Sequence, residues 1–368
     1  MKFNENQIAT YLLCAQLPKT KTIPLTIIEW NTLVLGLTKN KLEPQIVTTI
    51  TSSELSHILI EAKPVQRTNI IKKIEARRQL GLSMFEMENV INQGVKILFR
   101  SHMPKSLKRL TSKYLPPFFY CTGDLSIFEY PILGVVGARN ATEEELKATI
   151  KIGEDAAAQG VVIASGGARG IDSSAVEAYL RQGGKAIVFP ADGLQKWLKK
   201  KEIRNFIESE QLLLLSAQRI EAPFSGAYAM QRNKYIHVSG HAVLVASSSI
   251  SRKEKRSGTW EGVIENVQGN WTPIFTIGQS EGVQKLISEE KAQAFESIVT
   301  FLNSCNEKEV VNYDFEEHCE QLIFNALKNN IEPGYIKKYV EQLIEKSVSS
   351  STIGQNNKTK EMEQLRLL

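Results

Sequence analysis

Two short loops near the middle of the chain hold the residues best suited to chemistry, Gly137-Ala138-Arg139-Asn140 and Ser165-Gly166-Gly167-Ala168-Arg169-Gly170-Ile171-Asp172. Each comes after an apolar run and precedes a helix start. Glycine lets a phosphate approach the backbone amides, and arginine offers a forked, permanently charged donor pair. Asp172 is placed to cap the next helix. Loops of this kind on successive strands stand side by side at the strands' carboxyl ends, where open α/β sheets take their ligands. No Gly-Lys-Ser/Thr comes next, so this is not a Walker A loop, and Gly-x-Gly-x-x-Gly is not matched either. The chemistry expected is phosphate recognition, on a nucleotide or a nucleic acid.

Other constellations are thin. His237 and His241 stand four apart, but Gly240 lies between them where a helix should end, so they do not form a helix-face zinc pair. Cys14, Cys121, Cys305 and Cys319 are scattered, with no Cys-x-x-Cys, and read as reduced thiols. No Gly-x-Ser-x-Gly occurs. Neither a metal nor a cofactor is expected.

Periodicity gives the elements that must position these loops. Gly134–Gly137, Val161–Ala164, Lys185–Phe189, Leu212–Leu215, His241–Ala246 and Pro273–Ile277 are apolar runs of strand length. Helical patterns alternate with them: Thr142 to Gln159, opened by a Thr142/Glu145 capping box, then Asp172–Arg181, Gly193–Ser209, Ala227–His237 and Thr259–Val267. Continuous apolar strands alternating with helices predict an α/β, mainly parallel sheet covered on both faces. Upstream, residues 1–97 read as a small helical domain with helices starting near Ser53, at Pro64 and at Ser83; Gly81 is the expected C-cap. Pro116 to Gly123 reads as an extended stretch or edge strand. Downstream come a helix over 283–304, a linker over Asn303–Val310, and two helices over Phe315–Leu343. The Ser/Asn/Thr/Lys-rich tail has a disordered composition.

The chain has 368 residues, an apolar fraction of 42%, a charged fraction of 23% and a formal charge of +5. That is long enough for an α/β core with smaller domains beside it. The mild basic excess permits a nucleic-acid partner, and the position of the cations matters more than their sum. The N-terminus lacks a cleavage pattern, and no apolar run reaches the roughly 18 residues of a membrane span. A cytoplasmic protein is expected.

Over Leu98 to Gly278 the motifs resemble the DNA-processing family DprA, also called Smf. Ser165–Asp172 matches the family's Ser-Gly-Leu-Ala-Arg-Gly-Ile-Asp loop at every position but one, Gly167 replacing leucine. Pro116–Gly123 matches the proline-rich lead-in strand, and Gly137-Ala138-Arg139 the family's Gly-Ser-Arg. Gly184–Gly193 is similar to its Gly-Lys-Thr strand, Arg232-Asn233-Lys234 to its Arg-Asn-Arg, and Ser257-Gly258-Thr259 to a late Gly-Ser/Thr turn. Val176, Gln195, Lys199 and Ala229-Met230 depart from the family pattern. The resemblance implies a Rossmann-like domain over 98–304 that binds single-stranded DNA and helps load a RecA-type recombinase, as a homodimer or higher oligomer. It also implies a reduced winged-helix-like module over 305–346, ahead of a disordered tail over 347–368. The implied DNA or phosphate set is Gly137, Arg139, Ser165, Gly166, Gly167, Arg169, Gly170, Lys199, Lys200, Arg232, Asn233 and Lys234. Lys200 falls closest to a DNA-contacting lysine of the family. Trp197, Tyr235 and Trp260 are candidate stacking platforms, and the basic Ser251–Arg256 loop is a candidate extension of the track.

Two alternatives stay open on the same fold. One is a nucleotide-sensing regulator; an anti-phage defence module is a setting open both to it and to the DprA-like DNA-binding protein that the resemblance implies. The other is a LOG-like nucleoside-monophosphate phosphoribohydrolase, whose Pro-Gly-Gly-x-Gly-Thr-x-x-Glu signature is only partly met by Ser257–Gly262. There the glutamate, Glu261, comes one residue early, and one residue turns a helical side chain by about 100°. A binding protein is therefore expected rather than an enzyme.

Overall fold

In a computed structural model, the described residues are 3–17, 20–78, 83–167, 176–177, 179–252 and 256–311. They open with five helices: α1 Glu5–Cys14, α2 Ile27–Lys39, α3 Ser52–Ile58, α4 Pro64–Arg78 and α5 Ser83–Asn92. Capping boxes start three of them, Asn4/Gln7, Thr26/Glu29 and Thr51/Glu54, each satisfying amides that a helix start leaves open. The third helix thus begins just ahead of the expected Ser53. Proline at the first position starts α4, where its missing N–H costs nothing. Leu13, Leu33, Leu37, Leu55, Ile70 and Ile74 make the helices' own core. Gly81 lies outside the described residues.

The sheet has nine strands among the described residues: β1 Lys96–Phe99, β2 Phe118–Thr122, β3 Ile132–Val136, β4 Val162–Ser165, β5 Ala186–Val188, β6 Leu212–Ser216, β7 Ala242–Val245, β8 Ile274–Thr276 and β9 Gln293–Ala294. Their order is β1-β2-β6-β5-β4-β3-β7-β8-β9, parallel from β6 to β9 and antiparallel at β1–β2 and β2–β6. The chain moves outward from β3 to β6 on one side and from β7 to β9 on the other. That reversal is the mark of a doubly wound sheet. One set of alternate residues, among them Val162, Ala164, Ile187, Phe189, Leu213 and Leu215, packs in the main core. The intervening Ile163, Val188, Leu212 and Leu214 are equally buried, as both-face coverage requires.

Helices α6 Glu143–Ala158, α7 Gln195–Leu198, α8 Lys201–Glu208, α9 Gly226–Ser239, α10 Gly258–Gly269, α11 Glu281–Ser288 and α12 Ile298–Val311 complete these elements. The Thr142/Glu145 box caps α6, and Gly160, at a φ of +68°, lies just past its end in the left-handed region.

Four expectations are corrected. Strand β2 is no edge strand: it pairs with β1 on one side and β6 on the other, because Pro116 and Pro117 lie before it and remove no ladder donor. The stretch Gly193–Ser209 is two helices, interrupted where Lys200 adopts an extended conformation. The helix expected over 283–304 is instead α11, the short strand β9 and the start of α12, since Phe295 donates its amide to Thr276 at the sheet edge. Residues 303–310, expected as a linker, continue α12. Residues 1–302 form one compact unit, and the expected 97/98 boundary falls inside β1. A second unit begins at Asn303; the helices expected over Phe315–Leu343 and the tail lie outside the described residues, as does most of the helix expected from Asp172.

Candidate nucleic-acid interface

At the carboxyl ends of β3, β4 and β5, the chain forms a pocket of about 510 Å³ lined by Arg139, Gly166, Gly167, Ala191, Asp192, Lys196, Trp197, Lys200, Phe224 and Arg232. Four cations face one carboxylate. Parallel strands bring this about: each βα loop emerges at the same edge, so residues distant in sequence converge there.

The glycine pair is explained by what it touches. A β-carbon on Gly166 would overlap the guanidinium of Arg232, and one on Gly167, whose φ is +61°, would overlap the indole of Trp197. The loop is stripped of side chains so that an arginine from α9 and a tryptophan from α7 can lie on its backbone. Arg232 is only 6% exposed. Asp192 holds the tryptophan: its Oδ1 accepts from Trp197 Nε1 at 2.9 Å, and its Oδ2 lies 3.8 Å from Lys196 Nζ.

The rim pairs cations with aromatic rings. Arg139 stands 5.5 Å from the ring centroid of Phe224, and Lys200 stands 5.5 Å from that of Trp197. Phe224 is 53% exposed, although it is a large apolar side chain. Each pair offers a π-face and a positive charge to one ligand, the combination that suits an unstacked nucleotide.

The segments that follow β3 and β7 are tied down by hydrogen bonds within the chain. Thr259 at the start of α10 donates its hydroxyl to Gly137 O at 3.0 Å, and Ser248 beyond β7 is tied to Ser280 through its amide at 2.9 Å. Gly137 therefore serves this junction rather than the pocket wall.

Of the residues predicted from sequence, Arg139, Gly166, Gly167, Lys200 and Arg232 converge. Arg169 and Gly170 lie outside the described residues. Ser165 is fully buried and donates to Val135 O at 2.9 Å, fastening β4 to β3. Lys199 and Lys200 are both exposed, but only Lys200, extended at the break before α8, lines the pocket. Asn233 donates to Gly258 O at 3.0 Å. Lys234 is buried on Glu265, with Nζ–O distances of 2.6 and 2.7 Å, and is engaged inside the α9–α10 packing. Among the stacking candidates only Trp197 reaches the pocket; Tyr235 and Trp260 are core residues. The flanks of the basic loop are neutralised, Arg252 by Glu281 at 2.5 Å and Arg256 by Glu261 at 3.4 Å. Residues 253–255 are not among those described.

Sequence reading missed Lys196, Asp192 and Phe224. Phe224 had a usable signal. It stands between Pro223 and Ser225-Gly226, in a turn-forming stretch with no apolar periodicity to bury it. His237 lies at the other extreme: it is 1% exposed, and burial with Lys234 nearby pulls its pKa down to about 3. It is a neutral core imidazole. Among the described residues no group of three His, Cys, Asp or Glu could hold a metal, and no helix is long and apolar enough to cross a membrane.

Comparison with known proteins agrees with this architecture. The DNA processing protein DprA of Streptococcus pneumoniae is 29% identical over 182 residues, a match spanning 47% of this chain and 62% of that protein. The crystal structure of DprA from the same organism aligns with a TM-score of 0.58 at 20% identity, covering 81% of this chain and 96% of that one, which establishes a shared fold. DNA processing protein A from Helicobacter pylori, solved for its single-stranded DNA binding mode, aligns at 23% identity with a TM-score of 0.48, over 58% of this chain and 96% of that one. The model of the family DNA recombination-mediator protein A matches residues 95–306, more than half of the 368. On that match, the chain belongs to the DNA recombination-mediator protein A family of DNA-processing proteins.

Proposed function

We propose that this chain binds single-stranded DNA at the carboxyl-end pocket, as a binding protein in DNA processing and recombination. The observation that carries the reading is the pair of cation-on-aromatic contacts, Arg139 with Phe224 and Lys200 with Trp197, in the same pocket as the buried Arg232. Phosphates would lie against Arg139, Lys196, Lys200 and Arg232, while unstacked bases lie on Trp197 and Phe224. Duplex DNA hides its base faces, so the aromatic part of the site favours single strands. The test is titration of purified protein with single-stranded DNA, duplex DNA and mononucleotides across salt. Tighter binding of the single strand is expected, with a log–log salt slope near −0.7 per phosphate contacted. Equal affinity for duplex, or affinity unmoved by Arg139→Ala and Lys200→Ala, would sink the reading.

A mononucleotide ligand is the second reading, favoured by the volume, since about 510 Å³ is within the range of small-molecule pockets. A mononucleotide bound more tightly than an oligonucleotide would select it, and would bring with it a regulatory role, antiviral defence included. The hydrolase alternative has less support. Glu261 is engaged with Arg256 and does not line the pocket, and the lining carboxylate Asp192 is held by Trp197.

Once bound, the strand would pass from this mediator to a RecA-type recombinase in the cytoplasm, with the chain acting as a homodimer or larger assembly. Faster recombinase filament formation on DNA covered by a single-strand-binding protein, and a mass above the 41.3 kDa chain in gel filtration, are the expected results. No acceleration, or a monomer at all concentrations, would remove those parts and leave DNA binding intact.

A further inference from the structure

A second cavity, of about 530 Å³, lies at the opposite end of the parallel sheet, where Ile132 begins β3 and His241 precedes β7. His102, Lys105 and Arg109 reach it from the connector between β1 and β2, and its lining has one carboxylate, Glu129. From Arg100 to Leu115 that connector has six Lys, Arg or His residues and no Asp or Glu. The cavity is firmly built. Arg109 Nη1 donates to Gly240 O at 2.9 Å, and the Ile132 amide donates to His241 Nδ1 at 3.0 Å, so a neutral His241 ring keeps its proton on Nε2. The Ser106 hydroxyl in the lining is buried with no hydrogen-bond partner, a condition that a bound oxygen would relieve. Beside the cavity, at the same end of the sheet, Tyr130 is 40% exposed with Lys185 Nζ 5.2 Å from its ring centroid.

The cation-on-exposed-aromatic arrangement of the carboxyl-end pocket thus recurs at the amino ends of the strands. We propose that this amino-end surface is a second contact for single-stranded nucleic acid, with a backbone phosphate in the cavity at Lys105, Arg109 and Ser106 and a base on Tyr130. A strand is favoured over a small anion because cations that do not line the cavity, the exposed Lys108 and, on the Tyr130 ring, Lys185, accompany those that do. The second contact does not depend on the first, and a strand long enough to engage both would run from one end of the sheet to the other.

The test uses the full chain and a labelled single-stranded oligonucleotide, with the carboxyl-end pocket blocked by Arg139→Glu and Lys200→Glu. Residual binding should persist, and Lys105→Glu with Lys108→Glu should weaken it about tenfold and flatten the salt slope by roughly 0.7 per phosphate lost. Tyr130→Ala should weaken it further. Both lysines are exposed, so unchanged melting midpoints for that pair rule out unfolding, and the pair decides alone should Tyr130→Ala melt early. With the carboxyl-end pocket intact, the lysine pair should cost affinity for long strands and none for strands too short to leave that pocket. Loss of all binding on blocking the first pocket overturns the proposal, as does residual binding indifferent to the lysine pair or displaced equally well by inorganic phosphate. If blocking the first pocket changes nothing while the lysine pair abolishes binding, the carboxyl-end reading fails and this one stands.

Discussion

Two buried arginines, one in the helical region and one in the α/β region, show how differently a fold can use the same side chain. Arg77 in α4 has no measurable exposure, and burial lowers its pKa. Its guanidinium donates to Leu12 O at 2.6 Å, to Ala15 O, and to Thr22 O and Oγ1 at 3.2 and 3.3 Å. It takes up carbonyls left open where α1 ends and fastens that end to α4. Arg232 in α9 is nearly as buried, but it forms part of a pocket wall and rests on a glycine that has no side chain to exclude it. One charge is used up by the chain's own carbonyls. The other lines the pocket at the carboxyl ends of the strands.

The sharpest break of this comparison is Arg77→Ala, which strands several buried acceptors and opens a cavity. A loss of about 3–5 kcal/mol is expected in chemical denaturation. DNA affinity of the folded fraction should not change; a protein of unaltered stability would show that Arg77 holds nothing. Gly166→Ala tests the other arginine. Its β-carbon must displace the end of the Arg232 side chain, so affinity for single-stranded DNA should fall about 10- to 100-fold, with a smaller effect on stability. In a double-mutant cycle with Arg232→Ala, the second change should add little; additive losses would mean the two do not act together.

Phe224→Ala removes an exposed ring and should cost about 1–3 kcal/mol of DNA affinity with the melting temperature unmoved. Buried Tyr235→Ala should do the reverse. The neutral His237 gives a pH signature. Its folded pKa of about 3 lies below the unfolded value of about 6.5, so below pH 6.5 the unfolded chain binds the proton that the folded chain refuses. Stability should therefore fall with acidification, by about 1.4 kcal/mol per pH unit from this group between those values, and His237→Gln should flatten the slope. The smallest effect is expected of Lys200→Ala: a few-fold loss of affinity and a salt slope shallower by about 0.7.

Much of this was legible in the sequence because it rests on local rules. Apolar runs and capping residues marked the α/β strands and the start of α6, since burial periodicity and cap chemistry are settled within a few residues. Pro116-Pro117 misled, because proline's missing donor was charged to a strand that starts one residue later. Lys199 and Lys200 could not be told apart either, since the helix break that sets which of two exposed neighbours lines the pocket has no local signal.

The sequence by itself determined the doubly covered α/β unit and a side-chain-poor loop at Gly166-Gly167 with cations nearby. Only the tertiary structure decided why those glycines are needed. The groups occupying their missing β-carbon space, Arg232 at Gly166 and Trp197 at Gly167, come from 66 and 30 residues downstream, and no local pattern encodes a contact at that range. It also separated Arg232 from Lys234 two positions along the same helix. A turn of about 200° between them sends one to the pocket and the other to Glu265, and that choice depends on what packs against each face.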